Sequence, residues 1–179
     1  MADYSAPHVW SRRIVFVLLV VAIIFFHLIP LDTVPRRWAP PDLILAFAFA
    51  WVMRRPDYVP ALSLAMMMLM ADLLFQRPPG LMALLVVLGA EYLKSRVYAP
   101  GDSSFVVEWI AVAAVMVAIA VLNRLTLTLL LVPMPPLSPT VIQMVLTIAV
   151  YPLVVFVSQT VMGVRKPTPS DAGAIGGRA

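Results

Sequence analysis

Apolar residues in this chain fall into long runs divided by short clusters of proline and charge. The strict alternation of a half-buried strand is absent. One run extends from Ile14 to about Leu31, followed by Leu43–Met53, Tyr58–Phe75 and Leu81 to about Leu93. A fifth begins near Phe105, and a sixth covers Thr140–Val164. Between them stand Pro35-Arg36-Arg37, Pro40-Pro41, Arg54-Arg55-Pro56, Arg77-Pro78-Pro79-Gly80 and the stretch from Pro133 to Pro139. Proline cannot continue a helix beyond its first turn, so these clusters punctuate hairpins between helices. The short connections predict antiparallel neighbours.

Composition decides which solvent surrounds those helices. The 179 residues are 62% hydrophobic and only 12% charged, with a mean hydropathy of +0.95. A water-soluble domain carries roughly 25% charged residues. This chain cannot coat a globule in polar side chains, so lipid must wet most of its exterior. In hydrocarbon the backbone has to satisfy its own hydrogen bonds, which makes each run a helix; a closed barrel would need alternating polarity. The expected fold is therefore all-α, a polytopic membrane protein of about six transmembrane helices, with five as the rival count. The second and fourth runs fall short of the ~20 residues that cross a bilayer. Snorkelling by Arg54, Lys94 and Arg96 would lengthen them; alternatively one is re-entrant.

Ser11-Arg12-Arg13 before the first run superficially resembles a twin-arginine signal. The run to Pro30 exceeds a typical signal core and no small-x-small site follows, so a retained anchor is expected. The chain divides into a segment at 1–13, a helical domain at 14–164, and a Gly-, Pro-, Ser- and Ala-rich tail at 165–179 that cannot bury enough apolar area to order itself.

Net charge is +4, but the basic residues flank apolar runs and form no stripe interleaved with aromatics, which argues against nucleic acid. With six spans, Arg12, Arg13, Arg54, Arg55, Lys94, Arg96, Arg165, Lys166 and Arg178 share one side. Arg36, Arg37 and Arg77 occupy the other, with Arg124 inside the fifth run. Basic residues favour the cytoplasm, so both termini are expected there.

Little catalytic chemistry is available. Cysteine is absent, and His8 and His27 lie too far apart to suggest a metal site. No G-x-S-x-G, Walker loop or H-E-x-x-H occurs. The expectation is a non-enzyme with no catalytic residue, cofactor or metal. Ionisable groups at membrane depth are costly and draw attention instead. Asp42, Asp72 and Arg124, with His27 and Pro79-Gly80, gather at the outer ends of the helices. Asp42 follows Pro41 at a helix start, where a carboxylate favours the dipole. Asp72 lies in an otherwise apolar turn and needs a partner, for which Arg124 is the candidate. Phe105 to Asn123 already spans roughly 28 Å as a helix. Leu125 to Met134 therefore belongs either to a strongly tilted helix or to an apolar outer surface for a partner. Leu127 and Leu129 represent that surface. Glu91 and Glu108 are expected to pair with Lys94 or Arg96. Trp10, Trp38, Trp51 and Trp109 fit interfacial belts, the methionines Met66 to Met70 fit packing or lipid contact, and Pro152 is expected to kink the sixth helix.

Pro41-Asp42-Leu43 opening a helix, Trp51 near its end and Arg54-Arg55-Pro56 after it resemble the early region of the rod shape-determining MreD family. Asp72 followed by Arg77-Pro78-Pro79-Gly80 is similar to that family's D-x-x-x-G-x-P-x-G pattern. The resemblance covers residues 14 to 164. Met68 and Ala71 stand where a glycine before the aspartate is expected, and Gln76 replaces the small residue ahead of the basic one. The resemblance implies a bacterial inner-membrane protein that partners MreC, and through that complex MreB, RodA and its penicillin-binding transpeptidase. It also implies a six-helix fold similar to the substrate-binding component of energy-coupling factor transporters.

Two functions follow as expectations. One is a scaffold for MreC that supports cell shape and peptidoglycan synthesis, in which Ala46 and Ala50, four apart on one helix face, would allow close helix packing. The other is a small-molecule or lipid binder, or a transport component, using the outer polar cluster.

Overall fold

The computed structural model describes residues 6–29, 39–97, 104–132 and 136–164. Among these there are six α-helices and no strand: α1 Ala6–Leu28, α2 Leu43–Arg54, α3 Ala61–Leu74, α4 Leu81–Val97, α5 Phe105–Leu129 and α6 Leu137–Thr160. A single 3-10 turn, Pro56–Tyr58, joins α2 to α3. The chain is an all-helical polytopic membrane protein. Three of the described helical stretches, Val9–Leu28, Phe105–Leu129 and Leu137–Thr160, are long and apolar enough to cross a bilayer.

Several ends differ from the sequence expectation. α1 begins at Ala6, so Ser11-Arg12-Arg13 is helical and does not precede the helix. Its expected end near Leu31 lies outside the described residues, as do Arg36, Arg37, Trp38, Met134 and the tail from 165. α3 starts at Ala61 because Pro56 and Pro60 divert the chain through the 3-10 turn. α4 continues to Val97, carrying Lys94 and Arg96 within its last turn, where cations suit the helix dipole. α6 starts three residues early because Pro139 falls in its first turn, where the missing N–H costs nothing. It also runs unbroken through Pro152. α5 remains helical through Leu129, so the apolar stretch after Arg124 is largely a continuation of the span.

Helix packing forms a ring around one short member. α1 packs on α3, α3 on α4, α4 on α5 and α5 on α6. The ring closes where the Arg12 guanidinium donates to the Met162 carbonyl. α2 sits inside, against α1, α4 and α6, with every residue except Leu43 and Phe47 buried. A helix of 12 residues is only about 18 Å long and could not cross hydrocarbon alone. Enclosed by protein, it does not have to, because irregular backbone at membrane depth is tolerated when buried. Ala46, Ala48 and Ala50 are fully buried, so the small face read as a contact for a foreign helix is filled by this bundle's own neighbours. Gly89 plays a similar part between α4 and α5: a Cβ there would stand 2.8 Å from Val115 Cγ1 and 3.0 Å from Ile119 Cδ1.

The ring turns apolar side chains outward. Leu62, Met66, Leu69 and Leu73 form one stripe on α3, and Leu84 and Leu88 continue it on α4. Leu18 and Phe25 on α1, Ile110 and Val121 on α5, and Leu153 and Phe156 on α6 are likewise exposed. In water such a surface would far exceed the apolar patch a monomer tolerates; in lipid it is the expected exterior. Trp10 fits this belt, being exposed near the start of α1. Trp51 does not: it is fully buried, its ring 5.5 Å from Phe16 and 6.4 Å from Tyr58. Trp109 is half-buried and donates to the Ile148 carbonyl at 3.0 Å.

Candidate functional site

The polar side chains inside the ring concentrate at its two ends. At the end where α2 starts, three helix termini meet. Asp42 caps α2 by accepting the Leu45 N–H on Oδ1 at 3.1 Å, as its position after Pro41 suggests. Its own N–H donates to Thr147 Oγ1 of α6 at 2.8 Å. Its Oδ2 lies 3.8 Å from Arg77 Nη1.

Asp72 works across the α3–α4 hairpin. Its Oδ2 accepts the N–H of Gly80 at 3.1 Å and of Ala83 at 3.2 Å, the first orphan donors of α4. Glycine at 80 takes φ +88° and has no side chain to cap the helix with, so the preceding helix supplies the carboxylate. Pro79, just before it, cannot donate an N–H and confines this turn to a connection between helices. The Asp72 carbonyl meanwhile accepts the Arg77 N–H at 2.9 Å, closing α3 in a Schellman turn whose left-handed residue is Gln76, φ +55°. Gln76 thus stands where a left-handed backbone favours glycine. The expected Asp72–Arg124 pair is replaced by this arrangement: Asp72 is fully buried, with its carboxylate on the amides at the α4 N-terminus. The reason is local, since a carboxylate eight residues before a helix start reaches those amides without crossing the bundle.

Arg124 lies instead on a cavity of about 320 Å³ between α5 and α6, floored by α2 and the start of α4. Asp42, Arg77, Asn123, Thr140, Gln143 and Thr147 contribute its polar wall, and Leu45, Met82, Met116, Ile119, Leu127 and Met144 its apolar wall. Leu127 is therefore turned inward, at 9% exposure, while Leu129 is 85% exposed. α5 ends beside it in a second Schellman turn, with Leu131 left-handed at φ +52° and Val132 N–H donating to the Leu127 carbonyl at 3.0 Å.

At the opposite end, a buried ion pair joins three helices. Arg54, the last residue of α2, pairs with Glu108 of α5, and Tyr151 of α6 donates its hydroxyl to the same Glu108 Oε1 at 3.1 Å. Both charged residues are 2% exposed. Sequence reasoning placed Arg54 as a snorkelling end and gave Glu108 to Lys94 or Arg96. The helix geometry overturns both, because α2 is too short for Arg54 to reach the surface of the ring. Glu91 does pair with Lys94, at 2.8 Å, and Lys94 also donates to the Val59 carbonyl. The available signal for the triad was a glutamate in the first turn of an otherwise apolar helix and an arginine ending another.

Among the described residues, no group of three His, Asp or Glu side chains is placed to hold a metal ion. No family model, no curated protein and no solved structure matches this chain.

Proposed function

We propose that this protein is a non-catalytic inner-membrane component of a bacterial cell-elongation complex, of the MreD type, that holds MreC and supports cell shape and peptidoglycan synthesis. The observation that carries this reading is what its charged residues do. Asp42 and Asp72, which bear the family resemblance, cap α2 and α4, and Arg54 of the same motif set is engaged with Glu108. Groups that hold helix ends in place make a rigid frame for a partner to dock on. In this reading MreB, RodA and its penicillin-binding transpeptidase associate through the same complex.

The end carrying Arg12, Arg13, Arg54, Arg55, Lys94 and Arg96 faces the cytoplasm in this proposal, with both termini, in accord with the distribution of basic residues. The partner surface is the exposed end of α5, where Leu125, Leu129, Leu130 and Leu131 stand outward beyond the cavity. Co-purification with MreC from native membranes tests it. Wild-type protein is expected to bring MreC down, and Leu129→Glu to lose it while still accumulating in the membrane. Association unchanged by that charge would reject the surface, and no association with the wild-type chain would reject the function.

A second reading, a small-molecule or lipid binder, is favoured by one observation: the cavity at the α5–α6 end has both a polar and an apolar wall.

A further inference from the structure

We propose that the α5–α6 cavity binds an uncharged amphiphile whose small head carries hydroxyl groups. The carboxamides of Gln76, Asn123 and Gln143 take the head, and Met116, Ile119 and Met144 take the alkyl body. This inference rests on the second reading above, which it deepens, and is independent of the first. The volume of about 320 Å³ lies at the lower edge of small-ligand pockets, enough for a head of glycerol size and a few methylenes.

The chain has four carboxamide side chains, Gln76, Asn123, Gln143 and Gln159. Three of the four line this cavity, one from the turn after α3, one from α5 and one from α6. Such groups gain nothing from facing lipid, so their convergence from three separate elements marks the cavity itself. Among the described residues, none of these three side-chain amides makes a hydrogen bond within the chain. Asn123 and Gln143 are half-buried, where a head group that takes the place of water keeps their hydrogen bonds. A carboxamide offers donors and an acceptor without charge. A hydroxyl also donates and accepts, so a polyol head can use both ends of each amide.

The charged groups on the same lining are already matched. Asp42 accepts the Leu45 N–H on Oδ1 and holds Oδ2 3.8 Å from Arg77 Nη1, and the Arg77 guanidinium stands 5.3 Å from the centre of the Phe75 ring. Arg124 likewise has a partner within the chain. A charged head would have to displace one of these contacts and give up the hydration of its own charge, whereas a neutral head meets amides that are free. Thr147 donates to the Gln143 carbonyl and accepts from the Asp42 N–H, so its hydroxyl is used within the bundle. For the alkyl body, Leu45, Met116, Ile119 and Met144 supply the wall, and methionine adapts readily to an irregular apolar shape.

The test uses the full chain in phosphatidylcholine nanodiscs, with three probes of equal chain length: monooctanoylglycerol, methyl octanoate, which has no hydroxyl, and octyl phosphate, which is charged. Binding is read by thermal shift and by titration. Monooctanoylglycerol is expected to bind best, and Asn123→Leu and Gln143→Leu each to weaken it about fivefold, the effect of one neutral hydrogen bond. Gln159→Leu, the same change on α6 away from the cavity, should leave binding unchanged, and because all variants share the same bilayer, differences among them report the site. Ala120→Phe, which fills the cavity without altering charge, should abolish binding; if it does not fold, the two cavity leucine variants against Gln159→Leu decide. Equal or stronger binding of octyl phosphate would overturn the uncharged head, and equal binding of methyl octanoate would overturn the hydroxyl head; both leave the binder reading in place. No binding of any probe, or binding in which Asn123→Leu and Gln143→Leu match Gln159→Leu for every probe, would overturn the inference and the binder reading together.

Discussion

Asp72 closes one helix with its carbonyl and starts the next with its carboxylate, so a single residue sets the α3–α4 hairpin. Losing a capping side chain costs about 1–2 kcal/mol, and Asp72→Ala should lower stability by that order in detergent unfolding assays. Because Arg124 belongs to the cavity, the losses of Asp72→Ala and Arg124→Ala should add to within about 0.5 kcal/mol in the double variant. A coupling well above that would restore the direct pair. Gln76 marks a second residue-scale feature. It occupies a left-handed conformation that costs an L-residue roughly 1–2 kcal/mol, so Gln76→Gly should raise the unfolding midpoint, although glycine's extra freedom in the unfolded chain takes back part of the gain. A lower midpoint would show that the Gln76 side chain contributes more than the strain it imposes. Of these features, the Asp42 cap was legible in the sequence because it depends on neighbours in the chain. Asp72's need for a partner was legible too. The partner's identity was not, since Gly80 and Ala83 offer backbone donors that no residue name reveals.

At the scale of elements, the clusters of proline and charge placed all six helices, because proline acts locally. The ends moved wherever proline fell inside a first turn, as at Pro139, or built a turn of its own, as at Pro56. What α2 does was hidden. A 12-residue apolar helix reads as a deficient span until its packing against α1, α4 and α6 is seen, and that enclosure is a property of the packing. The same enclosure turns Arg54 from a surface anchor into half of a buried pair with Glu108, supported by Tyr151. Breaking a buried pair by removing one partner strands a charge and costs about 3–5 kcal/mol. Arg54→Met or Glu108→Leu alone should therefore reduce folded protein sharply, and the double variant should recover much of the loss. Tyr151→Phe should cost only about 1 kcal/mol. Singles and double of equal severity would mean that the pair contributes through specificity or assembly and not through charge compensation. Yields of monodisperse protein and unfolding midpoints in detergent read both cases.

On the whole-molecule scale, composition was the strongest guide: a chain with few charges and long apolar runs has to be wetted by lipid, and the outward leucines and phenylalanines of the ring agree. The sequence pointed only to a cluster of Asp42, Asp72 and Arg124; packing makes Asp42 and Asp72 helix caps and sets Asp42 and Arg124 on the cavity lining. The architecture has two chemically distinct ends, a cavity end and an ion-pair end, separated by an apolar belt. The absence of cysteine allows this to be read directly, since any introduced thiol reports without background. The decisive measurement is labelling of spheroplasts with a membrane-impermeant maleimide, using single cysteines at Leu131, Ser95 and Leu18, all exposed on the ring. The account predicts that Leu131→Cys labels from outside, Ser95→Cys only after lysis, and Leu18→Cys in neither case. Ready labelling of Leu18→Cys, or labelling of both ends from one side, would contradict it.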